Sequence, residues 1–315
     1  MTLSRYCVGI LFLIIALCVT GGARRHRLPE SDNVQNLSIT VDGLNRTFIL
    51  YKPSIVYIQN QRMPLVVVLH GGFGSGKKMF KGIGPTLHRL AERDHFMVAY
   101  PDSMNQNWND GRPVGPGEAN DVKFLSDMID FLIGRFNADP RRVYITGASN
   151  GGMMTYRMAC DHADKLAAVA PLIGSIPAAY FNRCRPAEPL PILMMNGTED
   201  PFVPWNGGPV KSGRGGEVLP IQKTVQFWVR NNRSNSVPQK QTLPDRVPRD
   251  GTRVHVDYYA ASPGGADTLL YTIEGGGHTW PGASGQAPPR IVGRKSQDID
   301  ATTAIWEFFK KQINN

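Results

Sequence analysis

Apolar residues occur along the chain mainly in short continuous runs. The runs are Leu65–Leu69, Phe96–Tyr100, Val143–Thr146, Leu166–Val169 and Ile192–Met195. A short run without polar interruptions is typical of a strand that is covered on both faces. Arg46–Tyr51 instead alternates polar and apolar residues, which indicates a half-exposed strand.

Helical spacing of apolar residues separates these predicted strands. In Asp121–Phe136 the apolar positions recur every three or four residues, and Gly152–Cys160 and Ile299–Ile313 are also predicted helices. Strands that alternate with helices predict an α/β protein with a mostly parallel sheet and helices on both faces.

Two loops rich in glycine and proline follow predicted strands. They are Asn105–Asn120 and Pro201–Gly216. Ligands of open α/β sheets bind beyond the carboxyl ends of the strands, so both loops are expected at the binding edge. The polar, proline-rich stretch Asn231–Asp250 is interpreted as a surface excursion, since strand-like segments resume after it.

The first 23 residues have the pattern of a secretory signal peptide. A positive charge at Arg5 precedes the apolar run Cys7–Val19, and the small residues Gly21–Ala23 follow it. A membrane anchor is the alternative, but the apolar run is shorter than the roughly 20 residues that a spanning helix needs. The interpretation is a signal peptide at 1–23 followed by one domain at 24–315, secreted to an extracellular or periplasmic location.

Composition changes this picture little. The chain has 315 residues, 41% of them hydrophobic and 19% charged, with a net charge of +9. The basic residues are scattered and are not interleaved with aromatic residues, so nucleic-acid binding is not expected. No integral membrane span is expected in the mature chain, and a monomer is predicted.

Cysteine usage agrees with export. Cys7 and Cys18 leave with the signal peptide, so Cys160 and Cys184 remain as an even pair in an oxidising compartment. A disulfide between them is predicted, and two buried free thiols are the alternative.

The pentapeptide Gly147–Gly151 carries the clearest chemical signal. It has the form Gly-x-Ser-x-Gly, with a predicted strand before it and a predicted helix after it. In this arrangement a sharp turn exposes the serine hydroxyl, and glycines are needed because side chains would collide with the strand and helix. Ser149 is therefore the candidate nucleophile, and the backbone N–H of Asn150 is a candidate oxyanion donor.

A serine nucleophile needs a base, and three histidines follow Ser149 in the chain. His162 lies at the end of the predicted nucleophile helix, and His255 lies in a strand-like alternation. His278 lies in a glycine-rich loop after an apolar strand, where a base can approach the serine. His278 is therefore the predicted base.

The acid that orients the base is expected on a loop between Ser149 and His278. Asp200 follows the predicted strand Ile192–Met195 and precedes a proline, and its neighbour Glu199 is the main rival. Asp200 is predicted to fix the imidazole tautomer and to stabilise the imidazolium.

A second oxyanion donor is expected on the loop after the first buried strand. His70 is followed there by Gly71, Gly72 and Phe73, and the sequence does not choose between the N–H groups of Gly72 and Phe73. His70 is interpreted as a prop for the loop. A phosphate-binding loop is excluded, because the lysine followed by Ser or Thr is missing.

Three tryptophans lie on loops near these residues: Trp108, Trp205 and Trp280. They could form an aromatic wall for a substrate, although each could equally be a packing residue. No cluster of His, Cys and Asp has metal-ligand spacing, so no metal and no other cofactor is predicted.

Five segments between Ser38 and Phe309 together resemble a known family. They are Leu69–Gly72 (LHGG), Tyr100–Asp102 (YPD), Gly147–Gly152 (GASNGG), Asn196–Trp205 (NGTEDPFVPW) and Gly277–Gly282 (GHTWPG). The chain resembles the polyhydroxybutyrate depolymerase family of esterases, which also includes feruloyl and acetylxylan esterases. The resemblance implies the α/β-hydrolase fold, the triad Ser149–Asp200–His278, and pairing of Cys160 with Cys184.

The predicted function is hydrolysis of carboxylic esters through an acyl-enzyme on Ser149, in the manner of a polyhydroxybutyrate depolymerase. A feruloyl or acetylxylan esterase acting on plant cell-wall polysaccharide is the alternative. The substrate would be a polyester oligomer or an aryl or acetyl ester of a polysaccharide. A hydrolase-like binding protein without catalysis is the alternative from another class.

Overall fold

The computed structural model describes residues 33–54, 62–113, 118–284 and 287–314. The predicted signal peptide lies outside these residues, so secretion remains a prediction. Within the described residues, no helix is both long enough and apolar enough to cross a lipid bilayer.

Strands and helices alternate through most of the described chain. The strands are β1 Val34–Val41, β2 Leu44–Tyr51, β3 Met63–Leu69, β4 Met97–Pro101, β5 Ala138–Ala148, β6 Ala168–Leu172, β7 Ile192–Gly197, β8 Gly208–Pro209, β9 Glu217–Val218, β10 Gln239–Thr242, β11 Arg253–Tyr259 and β12 Thr268–Glu274. The helices are α1 Gly76–Gly82, α2 Gly84–Asp94, α3 Asp121–Phe136, α4 Asn150–Asp161, α5 Ala178–Phe181, α6 Ile221–Asn231, α7 Pro289–Val292 and α8 Ala301–Phe309. Each predicted strand and helix is therefore present, with bounds shifted by a few residues.

Within the described residues, ten strands form one sheet in the order β1-β2-β4-β3-β5-β6-β7-β12-β11-β10. The six central strands, from β4 to β12, are parallel, and the strands at both edges pair antiparallel. The prediction of a mostly parallel sheet is confirmed. Because parallel strands end at the same edge, the loops after β3, β5, β7 and β12 are brought together.

Both faces of the sheet are covered by apolar side chains. On β3, Leu65, Val67 and Leu69 pack on the face covered by α3, α4 and α6. Val66 and Val68 pack on the opposite face with residues of α2 and α8. The continuous apolar run of β3 follows from this arrangement, since successive side chains point to opposite faces and both faces are buried.

The polar segment 231–250 contains an element that its composition did not predict. Strand β10 lies at the sheet edge, all four of its residues are exposed, and it pairs with β11. Its polar side chains are tolerated because an edge strand has solvent on several sides, and a charged residue such as Lys240 disfavours pairing with another chain.

A disulfide joins Cys160, in the last turn of α4, to Cys184 beyond α5. The predicted pairing is present, and it ties the far end of the helix that follows Ser149 to the next segment of the chain. Closing a loop of this size restricts the unfolded chain and stabilises the fold by about 3 kcal/mol.

Candidate active site

Ser149 lies in a sharp turn between β5 and α4. Its backbone angles are φ 57° and ψ −118°, a conformation with positive φ that residues with side chains rarely adopt. Its N–H donates to the carbonyl of Leu172 at 2.9 Å, and its own carbonyl accepts from Met153 N–H at 2.8 Å. The neighbouring strand and the first turn of α4 therefore hold the strained backbone in place.

The glycines that flank Ser149 are required by close backbone contacts. A Cβ atom on Gly151 would lie 2.4 Å from the carbonyl oxygen of His70 and 2.6 Å from that of Leu69. A Cβ atom on Gly147 would lie 2.6 Å from the Gly151 carbonyl oxygen. These distances are too short for any side chain, so the steric reason for the Gly-x-Ser-x-Gly pattern is present at both glycines.

His278 and Asp200 are brought together from two loops that follow β12 and β7. His278 Nδ1 lies 2.7 Å from Asp200 Oδ2, and the Asp200 side chain is only 2% exposed. The other carboxylate oxygen, Oδ1, accepts from the backbone N–H groups of Phe202 and Val203, both at 2.8 Å. An ionised Asp200 accepts at both oxygens, which assigns the proton of this contact to His278 Nδ1.

The rival acid lies elsewhere. Glu199 is 61% exposed at its side chain, and Arg294 donates to it at 3.1 Å. The structure therefore brings Asp200, and not Glu199, to the imidazole of His278. Of the other two histidines, His162 lies at the end of α4 and His255 pairs with Glu274 on β12.

The loop after β3 contains the two candidates for the second oxyanion donor. Phe73 N–H donates to the carbonyl of Gln106 at 2.8 Å, so this N–H is occupied within the protein. A Cβ atom on Gly72 would lie 2.9 Å from Asn107 Oδ1 and 3.9 Å from Asn150 Cβ. Gly72 thus lies close to the start of α4, and the contacts favour its N–H over that of Phe73.

His70 holds this loop by both of its ring nitrogens. Nε2 accepts from the N–H of Ser103 at 3.1 Å, which leaves the proton on Nδ1 to donate to the Gly71 carbonyl at 2.7 Å. Burial lowers the pKa of His70, because the charged imidazolium would be desolvated. The neutral form is thereby favoured, and it is the form that both hydrogen bonds require.

Asn150, the first residue of α4, is anchored by its side chain. Its Oδ1 accepts from Trp108 N–H at 2.7 Å, and its Nδ2 donates to the Trp108 carbonyl at 3.0 Å and to Asp110 Oδ2 at 2.6 Å. The side chain of Arg112 in turn binds the Asp110 carboxylate through Nε and Nη2. This cluster fixes the loop 104–113 against the N-terminus of the nucleophile helix.

A cavity of about 380 Å³ lies beside Ser149. Its described lining comprises the polar or ionisable residues Asn107, Arg112, Ser149, Asn150, Ser212 and His278, the apolar residues Phe73, Ala148, Met153, Ile173, Phe202 and Val210, and the glycines Gly71, Gly72 and Gly213. Ser149 and His278 therefore face the same space. Its apolar part and its few polar groups are typical of a site for a small organic group.

The three tryptophans lie elsewhere, which corrects the expected aromatic wall. Trp108 is fully buried and donates from its indole N–H to the His70 carbonyl at 2.9 Å. Trp280 is 3% exposed and donates to Thr302 on α8 at 3.1 Å. Trp205 is half-buried and packs against the core. The described aromatic residues of the cavity, apart from His278, are instead Phe73 and Phe202.

The sequence pattern did not single out Asp110 and Arg112. Both are buried, with exposed fractions of 0% and 4%. The available signal was the pattern Asp-Gly-Arg in a glycine- and proline-rich loop beside a tryptophan. That pattern does not reveal burial, because charged residues in such a loop are usually exposed.

The chain matches the family model described as "alpha/beta hydrolase fold" over residues 64–180. It is 32% identical over 225 residues to "Feruloyl esterase B" of Piromyces equi, a match that spans 68% of this chain and 39% of that protein. It is 27% identical over 247 residues to "Feruloyl esterase D" of Neurospora crassa, spanning 70% of this chain and 83% of that protein.

Among solved structures, the chain is similar to an acetyl xylan esterase from Aspergillus awamori. The TM-score is 0.60 at 17% sequence identity, and the match covers 88% of this chain and 98% of the other. At this level of identity the similarity concerns the fold. The family match and the structural similarity together show that the chain has the α/β-hydrolase fold, and the relatives named above are esterases.

Proposed function

We propose that this member of an esterase family with the α/β-hydrolase fold is a secreted serine hydrolase that cleaves carboxylic esters through Ser149, His278 and Asp200. One observation carries the proposal. Ser149, in its strained turn, lines the same cavity as His278, whose Nδ1 donates to the buried carboxylate of Asp200. This arrangement supports acyl transfer, which needs a nucleophile, a base and an orienting acid.

In the first half-reaction, His278 Nε2 takes the proton of the Ser149 hydroxyl as Ser149 Oγ attacks the ester carbonyl carbon. Asp200 stabilises the imidazolium through its bond to Nδ1. The tetrahedral oxyanion is stabilised by the backbone N–H of Asn150 at the start of α4 and by that of Gly72. The Phe73 N–H has no role, because it donates to Gln106.

Collapse of this intermediate breaks the bond to the alcohol oxygen, which receives the proton from His278. An acyl group then remains on Ser149. In the second half-reaction, water gives a proton to His278 and attacks the acyl carbonyl, and the carboxylic acid leaves as Ser149 recovers its proton. Each half-reaction returns His278 to its neutral form.

The substrate class that we propose is an aryl or acetyl ester of a polysaccharide. The names of several relatives support it, since they include feruloyl esterases and an acetylxylan esterase. A polyhydroxybutyrate depolymerase activity is the second candidate, and the segments Gly147–Gly152 and Gly277–Gly282 favour it by their resemblance to that family. Methyl ferulate, acetylated xylan and 3-hydroxybutyrate oligomers, compared by kcat/KM, distinguish the candidates.

Secretion is part of the proposal. The pattern of residues 1–23 supports it, and so does the disulfide between Cys160 and Cys184, because such bonds persist in oxidising compartments.

The test is the labelling of Ser149 by a fluorophosphonate, together with hydrolysis of p-nitrophenyl acetate. We expect the wild-type protein to be labelled and Ser149→Ala to lose both labelling and at least about 10⁴-fold in kcat. Ser212→Ala is the matched control, because it alters the other serine of the described cavity lining. That variant should keep both labelling and hydrolysis. Undiminished hydrolysis by Ser149→Ala would refute the proposal.

A further inference from the structure

The lining of the cavity beside Ser149 includes a buried arginine that the proposed reaction does not use. Arg112 lines the cavity and is only 4% exposed, whereas the loop that carries it is rich in glycine and could have left it in solvent. A buried arginine is rare unless its charge is paired. Asp110 and Gly215 supply partners that permit this burial, but the triad gives no role to an arginine in the lining of this cavity.

The contacts of Arg112 account for part of its hydrogen-bonding capacity. Nε donates to the Asp110 carboxylate, and Nη2 donates to Asp110 Oδ2 at 2.7 Å. Nη1 donates to the carbonyl of Gly215 at 2.7 Å. Since a guanidinium carries five N–H groups, the contacts among the described residues leave one N–H on each of Nη1 and Nη2 for a ligand.

The carboxylate of Asp110 balances the positive charge of Arg112. Asp110 is fully buried and, unlike Arg112, is not among the described residues that line the cavity. The pair has no net charge. An uncharged acceptor oxygen therefore gains hydrogen bonds at Arg112 without the cost of removing a second charge from water.

Arg112 is also held in one position. It is bound to Asp110 on one side and to Gly215 on the other, and a Cβ atom on Gly216 would lie 3.1 Å from Arg112 Cδ. A donor that is fixed before the substrate arrives loses little entropy on binding. Arg112 can therefore discriminate between substrates that have an oxygen atom next to its guanidinium and substrates that lack one.

The rest of the cavity sets the shape of the group that Arg112 would bind. Phe73, Met153, Ile173, Phe202 and Val210 supply an apolar surface, and no carboxylate side chain is among the described lining. A group with an apolar body and an oxygen atom fits both parts of this surface.

We propose that Arg112 is a specificity-determining residue, which donates hydrogen bonds from Nη1 and Nη2 to an uncharged hydroxyl, ether or carbonyl oxygen on the ester substrate. The inference rests on the proposed function, because it assigns a substrate class to the same cavity. The oxygen can belong to the acyl group or to the alcohol, and the experiment distinguishes these sources.

The experiment compares kcat/KM for matched esters that differ by one oxygen function. The acyl pairs are methyl 4-hydroxycinnamate with methyl cinnamate, and methyl 3-hydroxybutanoate with methyl butanoate. The alcohol pair is 2-hydroxypropyl acetate with propyl acetate. We expect the wild type to favour the oxygen-bearing ester of at least one pair by about 10- to 100-fold, which is the usual effect of a hydrogen bond to a charged donor.

Two variants test whether Arg112 is the source of this ratio. Arg112→Lys keeps the positive charge beside Asp110 and removes the planar donors, and the double variant Asp110→Asn with Arg112→Met removes both charges together. In both, we expect the preference to fall to about threefold or less. Arg214→Gln is the matched control, because Arg214 is ion-paired with Glu118 and is not among the described cavity residues. It should keep the wild-type ratio.

The preference is a ratio of two kcat/KM values measured on the same sample. A loss of folded protein lowers both values equally and leaves the ratio unchanged. A wild type without preference in any pair, or variants that retain the preference, would overturn the inference. A stronger preference for methyl hemisuccinate, which carries a carboxylate, would contradict the uncharged oxygen. Fluorophosphonate labelling of the wild type tests only whether Ser149 is the nucleophile. A wild type that is labelled but shows no ester preference would refute the role of Arg112 and leave the proposed function intact.

Discussion

Ser149 and His278 face the same cavity but are held there in different ways. On the nucleophile side, which comprises Leu69–Phe73 and Gly147–Gly152, backbone atoms lie so close that a methyl group on Gly151 would be 2.4 Å from a carbonyl oxygen. On the acid–base side, which comprises Asn196–Val203 and Gly275–Trp280, backbone atoms are just as close, since a Cβ atom on Gly277 would lie 2.1 Å from the Val292 carbonyl oxygen. The two functional side chains there, however, are positioned by hydrogen bonds. Asp200 there receives the N–H groups of Phe202 and Val203 and the imidazole of His278.

The difference has consequences for substitution. Where backbone atoms are closely packed, any added atom causes a steric clash, whatever its chemistry, because the backbone has no room to move away. A hydrogen-bonded site keeps its shape when an isosteric group replaces the original and loses only the chemistry of that group. Substitutions at the closely packed glycines of either side should therefore act first on stability, and isosteric substitutions of the hydrogen-bonded side chains first on catalysis.

The largest expected effect is on the acid–base side. Asp200→Asn keeps the size of the side chain, but its amide no longer supports the imidazolium or the required tautomer of His278. We expect kcat for p-nitrophenyl acetate to fall by about 10⁴-fold. The unfolding midpoint in urea should change far less than this loss suggests.

Glu199→Gln is the matched control for this prediction. Glu199 is adjacent in sequence but 61% exposed, so we expect kcat within about threefold of the wild type. A loss at Glu199→Gln as large as that at Asp200→Asn would contradict the assignment of the acid.

The next effect is on the nucleophile side. Gly151→Ala would place a methyl group against the carbonyl oxygens of His70 and Leu69, so we expect the free energy of unfolding to fall by about 3 kcal/mol or more. Urea denaturation measures it. Gly134→Ala is the control, because Gly134 is exposed within α3 and a Cβ atom there would have no neighbour within 4 Å. That variant should gain about 0.5–1 kcal/mol. Equal effects at both glycines would contradict the steric account.

The smallest effect concerns a half-buried histidine on α2, away from both sides of the site. His88 stacks on Tyr51 with ring centroids 3.8 Å apart, and its Nε2 lies 2.9 Å from the hydroxyl of Tyr100 at the end of β4. Burial lowers the pKa of His88 to about 4, although the nearby Glu92 carboxylate opposes the shift. The unfolded chain, with a pKa near 6.5, therefore binds the proton first as the pH falls.

The stability that neutral His88 contributes is complete above about pH 6.5 and is lost as the pH falls toward about 4. We expect a decrease of up to about 3 kcal/mol in the free energy of unfolding across this interval. His88→Gln keeps a hydrogen-bonding group near Tyr100 but does not titrate. Urea denaturation at several pH values should show a weaker dependence in this variant. An unchanged dependence would contradict the assignment.

The parts of the fold that the sequence predicts well are those whose pattern depends on local physics. The apolar run of β3 indicates burial on both faces, and the glycines around Ser149 indicate a turn without space for side chains. Asp121–Phe136 has apolar residues at helical spacing, and α3 has the same bounds. The disulfide of Cys160 with Cys184 is also predicted correctly.

Other features depend on contacts between distant segments. Trp108 belongs to the core because His70, 38 positions earlier, supplies a carbonyl for its indole N–H. Arg112 is buried because Asp110 and Gly215 provide partners for it. The choice between Gly72 and Phe73 depends on a hydrogen bond to Gln106. None of these contacts has a sequence pattern, because each partner is an ordinary residue whose proximity arises only in the folded chain.

The backbone conformation of Ser149 also bears on how this protein could be improved in the laboratory. A non-glycine residue held at φ 57° costs on the order of 1–3 kcal/mol. A mutant library that is selected only for heat resistance would therefore favour glycine at this position and enrich inactive chains. Selection for activity must be applied in the same round, because the residue that destabilises the turn is the one that the proposed chemistry requires.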